Sequence, residues 1–373
     1  MINDNKRINS ENQNLKFSII LPVYNREKIV SFSIKSILKQ DYSNWELIIV
    51  DDASVDGSRA VCESFAKIDS RIKIYSHAAN QGLSAARNTG LNHIEGDYIL
   101  FLDDDDQFKD NTLSTLFFIC STANPDIVVF AIKDWWIPSE HICNKLLDKE
   151  FITKNILPQH LNICEHTEYF LQTYVWHKCY RWNWLNENGI IFEERRRVWE
   201  DNTFLVQCFD KCKSMYIIQN QLYIPGDFPS IDHLSWHVDE KVILQYIDGY
   251  KNNRHQFGDI YDFNNPYTSR RYFNVINEQL KNLISKVQPD DFKKLLNTLV
   301  NEQVMQEWVV SITSKDNTEK ILVDAYISKD VEGIYCILQD LSEIKQEPNT
   351  AHKKIKQNGF KKILRRIINK LKM

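Results

Sequence analysis

The sequence predicts an α/β fold, in which a mostly parallel sheet flanked by helices is followed by a mainly helical C-terminal region. In the first hundred residues, apolar runs of strand length alternate with segments of helical period, and the centres of these runs lie 25 to 28 residues apart. The runs are continuous rather than alternating in polarity, which is typical of strands covered on both faces. After residue 239 the pattern is mostly helical to residue 300 and mixed to about residue 347.

The βα alternation implies parallel pairing of the strands through right-handed crossovers. Strands are predicted at Phe17–Val23, Glu46–Val50, Arg71–Tyr75 and Tyr98–Leu102. The helices between them are predicted at Lys28–Lys39, Gly57–Ile68 and Gly82–His93. Farther along, the pattern predicts a helix at Asn111–Cys120, a buried strand at Ile127–Ile132, and helices at Glu165–Tyr174, Arg181–Asn188 and Glu200–Lys211.

Shifts in composition near Pro229–Trp236 and Glu347–Thr350 divide the chain into four predicted segments. These are a polar N-terminal extension (1–16), an α/β domain (17–235), a helical region (236–350) and a basic tail (351–373). The helical region could pack on the rest of the chain, contact a substrate or mediate self-association, so an oligomer is one of the open readings.

The charge is unevenly distributed along the 373 residues, whose net charge is −4. Residues 353–373 hold nine Lys or Arg and no Asp or Glu, so the rest of the chain has 37 basic and 50 acidic residues, a net of −13. An acidic body argues against nucleic-acid binding. No apolar run approaches the roughly 18 residues of a membrane-spanning helix. With eight Cys and no visible secretory signal, we expect a cytoplasmic protein with reduced thiols.

The basic tail has the pattern of an amphipathic helix. Its apolar residues recur at helical spacing, with Lys and Arg between them: Ile355, Phe360, Ile363, Leu364, Ile367, Ile368 and Leu371. The pattern favours a helix lying on an anionic membrane surface, at the inner face of the cell membrane. The alternative is a helix packed on the acidic body.

Four consecutive carboxylates, Asp103 to Asp106, directly follow the strand at Tyr98–Leu102. Carboxylates this close repel one another, and Mg²⁺ or Mn²⁺, which prefer oxygen ligands, would relieve the repulsion. A solvated acidic turn is the alternative. Since ligands of parallel α/β sheets collect at the carboxyl ends of the strands, the position favours the metal.

Polar residues also follow the first two strands. Tyr24, after Pro22 and Val23, fits either stacking on a nucleotide base or an ordinary turn position. Asp52 suits a base N–H or a ribose hydroxyl, while Ser54 or Asp56 would cap the next helix. No glycine-rich phosphate-binding motif is present, so bound phosphates would need a metal.

A helix of small residues, 82–90, carries Arg87. Small side chains let a helix approach the sheet closely. In an acidic neighbourhood, Arg87 would pair with a carboxylate or with a diphosphate.

Together these segments resemble the inverting family 2 glycosyltransferases, which have the GT-A fold. The matching stretches are FSIILPVYN (17–25), IIVDDASVDG (48–57), NQGLSAARN (80–88) and GDYILFLDDDD (96–106). The resemblance implies a nucleoside diphosphate sugar donor, with Tyr24 stacked on its base and Asp52 in contact with it. It implies that Asp103 to Asp105 form the D-x-D metal motif, with Asp105 as direct ligand and Asp103 as the second. The residues expected at the donor are Pro22, Tyr24, Asp52, Arg87, Asp103 and Asp104.

The stretch VWEDNTF (198–204) resembles the acidic pair that this family has at a helix start, with Asp201 in the position of the general base. A carboxylate there can take the proton of an acceptor hydroxyl. The alternative is that Glu200 or Asp201 caps the helix.

The stretch WHKCY (176–180) resembles the family's Trp-Asn-Lys-Leu-Tyr segment, with His177 either near a sugar or packed in the core. Arg195, Arg196 and Arg197 fit a clamp over the diphosphate or a solvated loop. Cys208 and Cys212 read as packing residues, because no zinc set completes them. Where the family often has an Arg-containing segment, residues 224–229 differ, which leaves the acceptor side open.

The sequence thus predicts a metal-dependent inverting glycosyltransferase. By resemblance, the donor is a UDP-sugar and the acceptor a lipid-linked or surface glycan. Some of the aromatic residues between Trp135 and Trp199 could line a sugar site, although most will be core. The alternatives are a non-catalytic nucleotide-sugar or glycan-binding protein and a membrane-surface scaffold.

Overall fold

The structure is a computed structural model that describes residues 14–134, 137–138, 143–148, 174–196, 198–226, 239–257, 266–312 and 317–345. The chain divides into two compact units, Met1–Ile231 and Asp232–Met373. The boundary predicted at residues 235 and 236 lies outside the described residues and stays a prediction. The basic tail and most of the N-terminal extension also lie outside them.

Nine strands are described in the first unit: β1 (Phe17–Val23), β2 (Trp45–Asp51), β3 (Ile72–Ser76), β4 (Tyr98–Phe101), β5 (Gln107–Phe108), β6 (Ile127–Ile132), β7 (Leu146–Asp148), β8 (Lys178–Arg181) and β9 (Ser214–Ile224). Its described helices are α1 (Val30–Leu38), α2 (Ser58–Ala66), α3 (Leu83–Leu91), α4 (Thr112–Ala123), α5 (Trp182–Glu187) and α6 (Glu200–Lys211).

The described strands form one mixed sheet in the order β3-β2-β1-β4-β8-β6-β9-β5, with β7 also paired to β9. Strands β3, β2, β1 and β4 are parallel, which confirms the predicted βα series. Strand β8 runs antiparallel between β4 and β6, while β6 and β9 are parallel. Strands β5 and β7 pair antiparallel with β9. The short antiparallel strands were not predicted, because two to four residues carry too little pattern.

The central strands are apolar throughout because both faces of the sheet are covered. Every residue of β1, β2, β4 and β6 is buried. Helix α3 approaches β1 closely at Gly90, where an added Cβ would lie 2.5 Å from Cγ2 of Ile20. This close approach, expected from the small residues of 82–90, seats Arg87 one helical turn earlier at the carboxyl edge of the sheet.

The predicted elements of the first unit lie within a few residues of the observed ones, and α6 has the predicted bounds. The predicted helix at Glu165–Tyr174 lies outside the described residues except for Tyr174, which is not helical. The N-cap residue of α2 is Gly57, which has no side chain to cap the helix. Asp56 accepts hydrogen bonds from the backbone N–H groups of Glu27 and Ser58, at 3.1 and 2.9 Å, and so binds the first N–H of α2, in line with the alternative that Asp56 caps this helix.

The second unit is helical wherever it is described: α7 (Glu240–Phe257), α8 (Pro266–Leu283), α9 (Pro289–Asn301), α10 (Gln303–Ser311), α11 (Asn317–Ile327) and α12 (Val331–Lys345). The mixed pattern predicted after residue 300 is therefore wrong. The β-branched residues of α10 lower its intrinsic helix propensity. Burial overrides this, since Trp308 packs against Tyr250 at 4.9 Å and Tyr272 at 5.4 Å between ring centroids. No helix in the described parts of the chain is both long and apolar enough to cross a membrane.

Candidate active site

The carboxyl ends of β1, β2 and β4 meet at one edge of the sheet, as predicted. The β1 loop is joined there to the acidic run through Asp104. Asp104 Oδ2 accepts a hydrogen bond from the Tyr24 backbone N–H at 3.4 Å, and Arg26 Nε donates to Asp104 Oδ1 at 3.1 Å. The β1 and β2 loops are also joined, since the Asn25 backbone N–H donates to Ser54 Oγ at 3.0 Å. The acidic residues therefore lie together on a braced edge.

Protein groups bind Asp104 and Asp106 of the acidic run. Asp104 is bound by Arg26, and Asp106 accepts hydrogen bonds from the Tyr223 hydroxyl at 2.5 Å and the Gly226 backbone N–H at 2.6 Å. Burial, together with the charges of Asp103 and Asp105, raises the pKa of Asp104 to about 7 despite Arg26. The same causes raise the pKa of Asp106 to about 8. Negative charge is thus crowded at this edge.

Arg87 joins the acidic run to the first turn of α6. Its Nη2 donates to Asp103 Oδ1 at 3.0 Å, and its Nη1 donates to Asp201 Oδ1 at 2.6 Å and to Glu200 Oε1 at 3.4 Å. The side chain is 1% exposed and lies over the ring of Phe192. Burial alone would lower the pKa of the guanidinium, but the three carboxylates outweigh it and raise the pKa. The predicted pairing of Arg87 with carboxylates is confirmed, and a direct contact with the donor stays a prediction.

Asp201 lies in the first turn of α6, and each of its carboxylate oxygens accepts a hydrogen bond. Oδ1 meets Arg87, and Oδ2 accepts a hydrogen bond from the Val175 backbone N–H at 3.2 Å. The N-cap residue of α6 is Trp199, which makes no side-chain cap, while Glu200 and Asp201 lie in the first turn, where the helix dipole favours acidic side chains. Burial raises the pKa of Asp201, with a contribution from Asp103, although Arg87 opposes the rise. Burial and Asp201 raise the pKa of Glu200 to about 7.

Asp52 fastens the loop that leads into α3. Its Oδ1 lies 2.6 Å from His77 Nδ1 and accepts from the Gln81 backbone N–H at 2.8 Å, while Oδ2 accepts from the Gly82 N–H at 2.7 Å. His77 Nε2 in turn lies 2.8 Å from Thr89 Oγ1. Asp52 is 3% exposed, and the loop before α3 binds both of its carboxylate oxygens. The predicted contact between Asp52 and a donor base stays a prediction.

The other predicted donor residues lie beside this loop. Tyr24 is 38% exposed at the end of β1, where its ring could be reached by a planar ligand. Pro22 is buried within β1, opposite Val50 of β2. Their roles at a donor also stay predictions.

The chemistry of the acidic run fits a divalent cation. Within the described ranges, no group of three or more His, Cys, Asp or Glu side chains is arranged to hold a metal ion. Mg²⁺ commonly takes only one or two carboxylates and completes its shell with waters and substrate phosphates. Asp103, Asp104 and Asp105 are partly exposed, whereas Asp106 is buried; Arg26 pairs with Asp104 and Arg87 with Asp103. Asp103 and Asp105, the predicted ligands, are thus reachable from solvent and would hold the ion, and this role stays a prediction.

The remaining predicted residues divide between core and surface. His177 is fully buried, with Nδ1 3.2 Å from the Phe130 carbonyl and Nε2 2.8 Å from Lys178 Nζ, which confirms a packed histidine. Cys208 and Cys212 are buried packing residues, as predicted. Arg195 is exposed and Arg196 is buried against Glu193, while Arg197 lies outside the described residues.

Sequence reasoning missed three residues of this site. Arg26 braces Asp104, Tyr223 braces Asp106, and the buried Lys178 donates to the Tyr174 carbonyl at 2.5 Å. Arg26 stands two residues after Tyr24 at the same strand end, which is a signal that could have found it. Tyr223 reaches the site because β9 pairs with β6, and Lys178 because β8 pairs with β4. No local sequence pattern indicates these long-range pairings.

Residues 18–145 match the family model described as Glycosyl transferase family 2. The uncharacterized glycosyltransferase EpsJ of Bacillus subtilis (strain 168) is 32% identical over 219 residues, which are 57% of this chain and 61% of EpsJ. The UDP-Glc:alpha-D-GlcNAc-diphosphoundecaprenol beta-1,3-glucosyltransferase WfgD of Escherichia coli is 47% identical over 96 residues, which are 26% of this chain and 37% of WfgD. This chain covers less than two thirds of either relative.

A solved structure has the same fold. The crystal structure of S. aureus TarS 1-349 in complex with UDP-GlcNAc matches with a TM-score of 0.59 and 19% sequence identity, covering 88% of this chain and 92% of that chain. At this identity the likeness concerns the fold. The predicted GT-A fold with a helical C-terminal region is thereby confirmed.

Proposed function

Residues 18–145 form a domain of glycosyl transferase family 2, and from this premise we propose that the protein is a metal-dependent inverting glycosyltransferase. It moves a sugar from a nucleoside diphosphate sugar to a hydroxyl group of a glycan acceptor. The observation that carries the proposal is the position of Arg87. One buried guanidinium binds both Asp103 of the acidic run and Asp201 of α6, which are 98 residues apart in the sequence.

The donor lies at the carboxyl edge of the sheet in this proposal. Tyr24 stacks on the nucleotide base, beside the loop that Asp52 fastens. Asp103 and Asp105 would hold the divalent cation beside the diphosphate. Such a cation would neutralise the charge that develops on the departing diphosphate.

Asp201 accepts the proton of the acceptor hydroxyl as that oxygen attacks the anomeric carbon. The bond between this carbon and the diphosphate oxygen breaks on the opposite face, so a single displacement inverts the configuration. Burial raises the pKa of Asp201 and makes it a stronger base, while Arg87 opposes the rise. The Val175 N–H, at 3.2 Å, fixes its orientation.

A UDP-sugar donor and a lipid-linked acceptor are supported by the relative WfgD, whose name states both UDP-Glc and a diphosphoundecaprenol acceptor. Lipid-linked acceptors are found at membranes. The basic pattern of residues 353–373 fits attraction to anionic lipid, at about 1 kcal/mol per charge near the surface. We therefore place the reaction at the cytoplasmic face of the cell membrane.

Nucleoside diphosphate release from a panel of UDP-, GDP- and dTDP-sugars tests this function, because many transferases slowly hydrolyse their donor. Each donor is assayed with Mn²⁺, with Mg²⁺ and with a chelator. We expect release from one donor, lost with the chelator and in Asp105→Ala. Asp110→Ala is the matched control, because Asp110 is exposed, lies four residues beyond the end of the acidic run and should leave release unchanged.

Two results would contradict the proposal. Metal-dependent binding of a donor without release, even with acceptor lipids present, would favour a non-catalytic nucleotide-sugar-binding protein. Neither binding nor release across the panel would remove the donor site altogether and favour a membrane-surface scaffold.

A further inference from the structure

Arg87, which binds the proposed base Asp201, is also in contact with aromatic rings. Its guanidinium carbon lies 5.1 Å from the ring centroid of Phe192 and 6.0 Å from that of Phe101. Nη1 and Nη2 donate to carboxylates, whereas Nε is buried and has no hydrogen-bond acceptor among the described residues. Cation–π attraction to the two rings therefore adds to the carboxylates in confining the guanidinium.

The rings in contact with Arg87 belong to a closely packed aromatic box of Phe101, Phe192 and Phe204. Phe192 is stacked on Phe204 of α6, with 4.2 Å between the ring centroids and an interplanar angle of 10°. Phe101, the last residue of β4, meets the edges or faces of both rings nearly at right angles, at 5.3 and 5.8 Å. All three rings are at most 1% exposed. Since Phe204 is three residues after Asp201, the aromatic box joins Arg87 to the helix that carries the proposed base.

Asn88, the neighbour of Arg87 in α3, fixes the backbone of Phe192. Asn88 Oδ1 accepts a hydrogen bond from the Phe192 backbone N–H at 2.9 Å, and Nδ2 donates to the Phe192 carbonyl at 2.9 Å and to Glu194 Oε1 at 3.0 Å. Phe192 itself lies in coil between α5 and α6. A primary amide supplies both the donor and the acceptor that a neighbouring strand would provide. The buried amide of Asn88 thus holds a ring that no regular element of its own would hold.

We propose that Asn88 and Phe192 are positioning residues for the proposed base. By confining the Arg87 guanidinium, they keep the Asp201 carboxylate in the orientation in which it takes the proton of the attacking hydroxyl. The proposal rests on the glycosyltransferase function above and adds residues to its chemical step. Because Asn88 and Phe192 are only 8% and 1% exposed, they act through Arg87 and not by touching the substrate. A displacement of about 1 Å in a reacting group can lower a rate roughly 10²-fold, so this confinement affects the chemical step.

Proton–nitrogen NMR of the Arg87 Nε–H group in the full chain measures the confinement directly. The signal is assigned by its loss in Arg87→Lys. We expect a resonance shifted by the ring currents of the aromatic box and protected from exchange with water, because the group is buried. Phe192→Leu keeps an apolar side chain but removes the ring. It should reduce the shift and raise the exchange rate about 3- to 30-fold, which corresponds to the loss of one cation–π contact.

Donor hydrolysis measures the consequence for the chemical step, since water replaces the acceptor hydroxyl and Asp201 takes its proton. Phe192→Leu and Asn88→Asp should each lower kcat about 10- to 100-fold. Asp in place of Asn88 has the same shape, but it lacks the N–H donor and its charge opposes Glu194. The dissociation constant for the nucleoside diphosphate with Mg²⁺, measured by calorimetry, should stay the same. Asn88→Asp leaves all three rings in place and provides the test should Phe192→Leu fail to fold.

Phe17→Leu is the matched control. Phe17 is fully buried at the amino end of β1, where it packs against Tyr42 at 5.7 Å between ring centroids. It loses a ring of the same size, but away from the carboxyl edge of the sheet, so the Arg87 signal and kcat should not change. Effects of Phe192→Leu no larger than those of Phe17→Leu would overturn the positioning role. Equal losses of kcat and of nucleotide affinity would also overturn it, because they would indicate a general loosening of the site.

The two levels of the proposal fail in different ways. Normal release of nucleoside diphosphate by both Phe192→Leu and Asn88→Asp would refute the positioning role alone. Absence of release from every donor in the unsubstituted protein would refute the glycosyltransferase function, and with it the role assigned to Asn88 and Phe192.

Discussion

Replacing Arg87 with methionine should destabilise the first unit by about 3 kcal/mol. The substitution keeps the apolar stem but leaves Asp103, Glu200 and Asp201 without their shared cation. Removing one partner of a buried ion pair costs about 3–5 kcal/mol. The three carboxylate side chains are 28%, 15% and 14% exposed, so water relieves part of the loss, and the lower end of that range applies.

Thermal unfolding followed by circular dichroism measures this loss. For a unit of this size, about 3 kcal/mol corresponds to a fall in Tm of roughly 6–12 °C. Arg59→Met is the matched control, because the pair between Arg59 and Glu63 is solvent-exposed on α2, at 57% and 44%, and such pairs contribute little. A Tm for Arg87→Met equal to that of Arg59→Met would refute the reasoning.

The pH dependence of the Arg87→Met loss provides a second check. Without the guanidinium, the pKa values of Glu200 and Asp201 rise further in the folded state. The folded variant then takes up protons at a higher pH than the unfolded chain does. The stability difference from the unsubstituted protein should therefore shrink as the pH falls from 7.5 to 5. A difference that is constant over this range would mean that the carboxylates do not respond to Arg87.

Three further predictions concern the base, its neighbour and the tail. Asp201→Asn should lower the transfer rate by about 10²–10⁴-fold while donor affinity, measured by calorimetry, stays the same; an unchanged rate would exclude Asp201 as the base. Because the pKa of Glu200 is raised from 4.5 to about 7, the folded state binds the extra proton, and this contribution to stability is lost as the pH rises from about 4.5 to 7. Urea unfolding of Glu200→Gln should lack that part of the pH dependence, and an identical profile would contradict it. Deleting residues 348–373 should abolish flotation with vesicles containing phosphatidylglycerol and leave donor hydrolysis intact; retained flotation would exclude the tail as the membrane contact.

The sequence was most informative where strands end in polar residues. Continuous apolar runs marked β1, β2 and β4, and the residues after them, Tyr24, Asp52 and Asp103, follow from parallel topology alone. The bounds of helix α6 were also predicted from the sequence, because two acidic residues begin the helix and apolar residues recur at helical spacing after them.

The sequence could not indicate contacts between residues that are far apart in the chain. Asp106 reads as a fourth equivalent carboxylate, yet Tyr223 and Gly226 bind it because β9 passes beside the run. Asp52 reads as a ligand residue, whereas its carboxylate is bound by the loop before α3. The helices after residue 300 were obscured because they depend on burial of apolar side chains, such as Trp308, Tyr326 and Leu338, more than on local propensity.

The stereochemistry of donor hydrolysis is the most direct test of the central claim. Proton NMR is recorded on the sugar released from an α-linked UDP-sugar during the first minutes, before the anomers interconvert. A single displacement assisted by Asp201 predicts that the β-anomer appears first, and only when Mg²⁺ is present. Initial release of the α-anomer, or release that is independent of the metal, would contradict the account.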